Sequence, residues 1–104
     1  MTGFVSRAGR TTEMDGVSIV GGDYIGFCDD VVYSDSPDKC EAAEVLCDKL
    51  DAGSFDVILL LAGENASADE AQRLYDTMSE KYKDVEIIMR DGGQPLHDFI
   101  LVLE

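Results

Sequence analysis

The chain has 104 residues, with 8 Lys or Arg against 22 Asp or Glu, a formal net charge of −14. Such a field repels phosphate and argues against nucleic acid or an anionic membrane as partner. An apolar content of 45% is enough for a core, which excludes a disordered acidic tail.

No apolar run approaches the roughly 20 residues that cross a bilayer, so membrane insertion is not expected. Met1 to Arg10 lacks the apolar segment of a signal peptide. Three cysteines make an odd and sparse set, which reads as a reducing, cytoplasmic setting. Residues 1–104 read as a single domain. The abrupt start suggests a piece of something longer.

Thr2 to Arg10 could pair as a strand but carries few apolar residues. Glu13-Met14-Asp15-Gly16 has turn chemistry, since Gly accepts positive φ without steric cost. Val17 to Val20 reads as a short strand, and Gly21-Gly22-Asp23 as a second turn. Tyr24 to Cys28 and Val31 to Tyr33 flank Asp29-Asp30, the pattern of a β-hairpin. Ser36 suits a helix N-cap, with Pro37 in the first turn. Cys40, Ala43, Leu46, Cys47 and Leu50 then recur at helical spacing, with Gly53 as the stop. Phe55 to Leu61 is nearly continuous in apolar residues, as in strands covered on both faces. Ser67 and Glu70 have the spacing of a capping box, and Ala71, Leu74, Tyr75, Met78 and Tyr82 form a second helical stripe. Val85 to Met89 reads as a strand, Asp91 to Pro95 as a loop, and Phe99 to Leu103 as a closing antiparallel strand. The fold class is therefore α+β in two layers. It is a mixed sheet of about five to six strands with two helices mostly on one face, a hairpin region followed by β-α-β-α-β-β.

Few residues carry a pattern that points to chemistry. Cys40 and Cys47 lie on one apolar helix stripe, Cys28 ends a strand, and no CxxC pair or histidine cluster accompanies them, so buried structural thiols are the reading. His97 is the single histidine and has no nucleophile tied to it by spacing. Asp29, Asp30, Asp35 and Asp38 lack the spacing and glycine of a calcium loop. Gly21-Gly22 and Gly92-Gly93 belong to no phosphate loop. Gly92-Gly93-Gln94 matches the tripeptide of peptide-release factors, but a charge of −14 is incompatible with a ribosomal site. Gly63 to Ser67 joins a strand to a helix N-terminus. Ligands gather at that place in open α/β sheets, but the acidic first turn fits a plain helix cap better.

The C-terminal third runs Glu80-Lys81-Tyr82-Lys83-Asp84-Val85-Glu86, then Gly92-Gly93-Gln94-Pro95-Leu96, then an apolar strand to Glu104. Upstream stand Asp15-Gly16-Val17, Gly22-Asp23-Tyr24-Ile25-Gly26 and Gly63-Glu64-Asn65. In this order they resemble the extreme C-terminal domain of bacterial DAK2-domain proteins, the dihydroxyacetone-kinase-like large subunit of fatty acid kinase. The resemblance runs from about Gly3 to Glu104. It implies a parent protein whose N-terminal domain binds ATP and magnesium and phosphorylates an acyl group. It implies docking of a separate DegV-like fatty-acid-binding protein, with no cofactor in this segment. Two departures are His97, where the family more often has an aromatic, and the Asp29-Asp30 turn. No catalytic residue of the family maps here.

The expected function is thus a non-catalytic docking domain, in contact with the DegV-like protein and with other domains of the parent kinase. The candidate partner-binding residues are Gly92, Gly93, Gln94, Pro95 and His97. Glycines admit close backbone approach, Gln both donates and accepts, and Pro stiffens the loop. A small flavodoxin-like cofactor carrier is the alternative, weakened by the missing hydroxyl-rich phosphate loop. A free-standing enzyme on a carboxylate pair ranks last.

Overall fold

The burial pattern along each long strand has period two, the signature of a sheet whose two faces differ. In the computed structural model, which describes all 104 residues, the elements are β1 (Thr2–Arg7), β2 (Thr12–Met14), β3 (Val17–Ile19), β4 (Tyr24–Cys28), β5 (Val31–Ser36), α1 (Lys39–Lys49), a 3-10 turn (Ala52–Ser54), β6 (Val57–Ala62), α2 (Ala68–Lys81), β7 (Glu86–Asp91) and β8 (Phe99–Leu103). Six strands form one sheet in the order β5-β4-β1-β8-β6-β7, and β2 and β3 form a separate two-stranded ribbon. Every pairing in the large sheet is antiparallel except β6 with β7. A parallel pair cannot be joined by a tight turn, and α2 is the crossover that joins this one. The class is α+β, as the sequence indicates, and no helix is long and apolar enough to cross a membrane.

Both helices pack on one sheet face. Leu46, Cys47, Leu74 and Met78 interlock there with Val5, Ile58, Leu60, Phe99 and Leu101, all fully buried. The β2–β3 ribbon lies over one end of the other face, where Ile19 packs with Ala8, Val32, Ile25 and Phe27. β6 therefore departs from the expectation of cover on both faces. Ile58, Leu60 and Ala62 are buried, whereas Val57, Leu59 and Leu61 are only half-buried.

Three further boundaries differ from the sequence reading. Thr12–Met14 is a strand paired with β3, although Glu13 and Met14 read as turn. Asp15 and Gly16 alone make the turn, with φ of 54° and 79°. The N-cap of α1 is Asp38, whose carboxylate accepts the Cys40 N–H at 3.0 Å. Ser36 is still in β5 and accepts the Asp38 N–H at 3.1 Å, with Pro37 between them. The helix ends at Lys49, and the left-handed residue after it is Asp51, φ 57°, not Gly53. A short Asp side chain tolerates this conformation better than most L-residues. The capping box at α2 forms as read. Ser67 Oγ accepts the Glu70 N–H at 3.1 Å, and the Ser67 N–H donates to Glu70 Oε1 at 2.9 Å.

Candidate functional site

The loop of residues 92–98 leaves β7 at the end of the sheet where β1 and β6 also finish. Its backbone is fastened at every few residues. The N–H groups of Gly92 and Gly93 donate to the Ala62 carbonyl at 2.8 and 3.1 Å. The Gly63 and Glu64 N–H groups donate to the carbonyls of Asp98 and Gln94 at 2.8 and 3.0 Å. Asn65 Nδ2 donates to the Pro95 carbonyl at 3.2 Å, and Gln94 Nε2 to the Leu61 carbonyl at 3.2 Å. Gly63 is required by this arrangement, because a β-carbon there would press into the carbonyls of His97 and Gln94. Gly93 takes φ 62°, which glycine adopts at no steric cost.

The five candidate residues do not form one surface. Gly92, Gly93 and Pro95 are exposed, but Gln94 is half-buried and its amide is used within the fold. His97 turns under the loop toward β1. Its Nδ1 lies 2.6 Å from Ser6 Oγ, and its ring centroid 4.7 Å from that of Phe4 and 5.9 Å from that of Phe27. The residue missing from the sequence reading is Leu96, the most exposed large apolar residue at 79%. A signal for it exists, since an apolar side chain in a Gly-and-Pro loop has no periodic face to join.

Beside Leu96 opens a recess of about 400 Å³ lined by Arg7, Tyr24, Lys39, Asn65, Leu96 and Asp98. Lys39 and Asp98 are only 7% and 5% exposed. Lys39 Nζ lies 3.0 Å from Asp98 Oδ2 and 3.3 Å from Glu70 Oε1, and donates to the Asn65 carbonyl at 2.8 Å. Burial disfavours this charge, but the hydrogen bond and charge of Asp98, with Glu70 behind it, outweigh burial and raise the Lys39 pKa. Glu70 is held below the usual carboxylate range by the Ser67 N–H and by Lys39. With three oxygens around it, the ammonium has its hydrogen-bonding capacity filled. It ties α1, the start of α2 and the start of β8 together rather than reaching for a substrate. Nothing in the sequence marks this pair, because a Lys in the first turn of a helix reads as solvated.

The other candidates have structural partners. Cys28, Cys40 and Cys47 are free and buried. Burial pushes the Cys47 thiol up to about 12, the opposite of a reactive thiolate. Asp38 caps α1 and pairs with Arg73, and Asp35 accepts the Val20 N–H. Asp29 and Asp30 form the β4–β5 turn with φ of 51° and 64°. No three His, Cys, Asp or Glu side chains converge as a metal site.

Comparison with known proteins places this scaffold and its fastened loop in a family. The family model for the FakA-like C-terminal region of fatty acid kinase matches residues 1–104. Among curated relatives, protein YloV of Bacillus subtilis is 32% identical over 103 residues, covering 99% of this chain and 19% of its own length. An uncharacterised protein of Staphylococcus haemolyticus is 27% identical and one of Staphylococcus aureus 25%, each over 99% of this chain and 19% of its own length. The chain thus spans about one fifth of the relatives it matches. It belongs to the FakA-like C-terminal family of fatty acid kinase.

Proposed function

We propose that this chain is the non-catalytic docking domain of a fatty acid kinase large subunit. Its partner is a DegV-like fatty-acid-binding protein, whose acyl carboxylate the parent kinase phosphorylates in the cytoplasm. ATP and magnesium belong to the N-terminal domain of the parent. In this reading the chain supplies no group to the reacting atoms. It holds the acyl-carrying protein where the nucleotide domain can reach it.

One observation carries the reading. The loop is fastened by backbone hydrogen bonds to Ala62, Gly63 and Glu64, yet Leu96 at its tip is 79% exposed. A rigid loop has lost its conformational freedom before any partner arrives, so an apolar side chain on it binds at lower entropic cost. Gly92, Gly93 and Pro95 supply the surrounding surface, whereas Gln94 and His97 hold the loop from below. The acidic faces of α1 and α2 would favour a basic partner patch and act on the association rate.

The test is titration calorimetry against the DegV-like protein of the same source. Saturable binding weakened at least tenfold by Leu96→Ala or Pro95→Ala, with unchanged folding by circular dichroism, is the expected result. Tight binding insensitive to both changes removes the loop from the interface. No binding by the folded chain overturns the docking role.

A further inference from the structure

We infer that the sheet face opposite the helices is an internal interface, covered in the native protein by the polypeptide that precedes this domain. The inference rests on the reading of the chain as one domain of a longer protein. The face is formed by Phe4 on β1, Ile100 and Val102 on β8, Leu59 and Leu61 on β6, and Ile88 on β7. Strand register makes them one patch. Phe4 stands opposite Ile100, Ile100 opposite Leu61, Val102 opposite Leu59, and Leu59 beside Ile88. All six are half-buried, and none belongs to either hydrophobic core cluster.

The composition of this face is that of a covered one. A strand with one solvated face alternates apolar residues turned to the core with polar ones turned to water. Here the outward positions of β1, β8 and β6 are Thr2, Phe4, Ser6, Ile100, Val102, Val57, Leu59 and Leu61. None is charged, in a chain where 29% of residues are. On the far side of the patch charge returns on the edge strand β7, at Glu86 and Arg90. Four strands at about 4.8 Å spacing make a continuous apolar surface of the kind that marks an interface. The β2–β3 ribbon already covers the neighbouring end, over Ile25, Phe27 and Val32, so the missing cover continues an existing layer.

Two observations select the occupant. A second copy would bring a further charge of −14 against the first, a repulsion that salt only partly screens. The relatives, in contrast, have about four fifths of their length outside the matched region, and the matched family is a C-terminal one. A preceding segment on the same polypeptide reaches the face at high effective concentration and needs no separate association event.

Thiol labelling read site by site from peptide masses tests this directly, because Cys28, Cys40 and Cys47 are buried and an introduced cysteine is the accessible one within this domain. Val102→Cys and Ile100→Cys are each placed in this 104-residue chain and in the full-length protein of the same source. Maleimide labelling rates are then compared, with Glu80→Cys on the outer side of α2 as reference. The expected result is labelling at least tenfold slower in the full-length protein at both sheet positions, relative to Glu80→Cys. Two sites guard against one variant misfolding. Equal rates in the two forms overturn the inference. So does slow, concentration-dependent labelling of the short chain, which would assign the face to a second copy. Protection that appears only when the DegV-like protein is added assigns it to that partner and overturns the inference while preserving the docking reading. A native polypeptide of only 11.3 kDa in the source cell overturns it outright.

Discussion

Lys39 is buried to 7% exposure with its ammonium among Asp98, Glu70 and the Asn65 carbonyl, and this one side chain joins three segments distant in sequence. A buried ion pair gains little over an apolar pair of the same shape, because desolvation offsets the Coulomb attraction. Breaking one half is different, since the remaining charge keeps its desolvation cost and loses its partner. Lys39→Met should therefore destabilise the chain by about 3–5 kcal/mol, read as a fall in the urea midpoint at pH 7. Adding Asp98→Asn should recover much of that loss, because the residual charge at the site is removed. If Lys39→Met alone is neutral, the pair is not the clamp its geometry indicates.

At the scale of elements, what is legible in the sequence is what neighbouring residues determine among themselves. Ser67 and Glu70 satisfy each other across one helical turn, so the start of α2 can be read directly. The start of α1 cannot, because Ser36 and Asp38 are both cap-forming residues two positions apart, and β5 holds Ser36 in the sheet. Gly53 is the expected stop, but Asp51 adopts the left-handed conformation itself, a choice local composition does not settle. Phe55 to Leu61 announces the strand, which runs Val57–Ala62, but not that its second face lacks cover within these 104 residues. The candidate loop is visible through its glycines and proline. The exposure of Leu96 and the inward turn of Gln94 and His97 depend on how that loop meets the end of β6, and this is tertiary information. That meeting point is testable. Gly63 admits no side chain because the carbonyls of His97 and Gln94 crowd it. Gly63→Ala should cost about 1–3 kcal/mol, the usual range for overpacking. In heteronuclear spectra it should shift the amide signals of residues 92–98 more than those of α1. Unchanged loop signals would show that β6 and the loop are not coupled in this way.

For the molecule as a whole, pH acts through groups whose protonation differs between folded and unfolded chains. Glu70 is depressed by the Ser67 N–H and Lys39. Its contribution to stability is present above its unfolded pKa and is lost as pH falls through the lower folded value. Burial would lift Asp48, but hydrogen bonds from Lys81 and Tyr82 depress it, so it behaves likewise. On the alkaline side the sign reverses. Burial holds the Cys47 proton up to about 12 in the fold, whereas an unfolded thiol releases it near pH 8.5. Above that pH the unfolded chain binds fewer protons than the folded one, so stability falls as pH rises. Lys39, raised by Asp98 and Glu70, adds to the loss as pH climbs further. The urea midpoint should therefore be broad and maximal between about pH 5 and 8. The unfolding free energy should decline beyond pH 9 by about 1.4 kcal/mol per pH unit from Cys47 alone, and the midpoint should fall with it. Cys47→Ala removes that thiol, so its alkaline decline should be shallower by this amount, even though the deleted sulfur lowers stability at pH 7. Parallel declines in the parent chain and Cys47→Ala would mean that another group controls the alkaline limb.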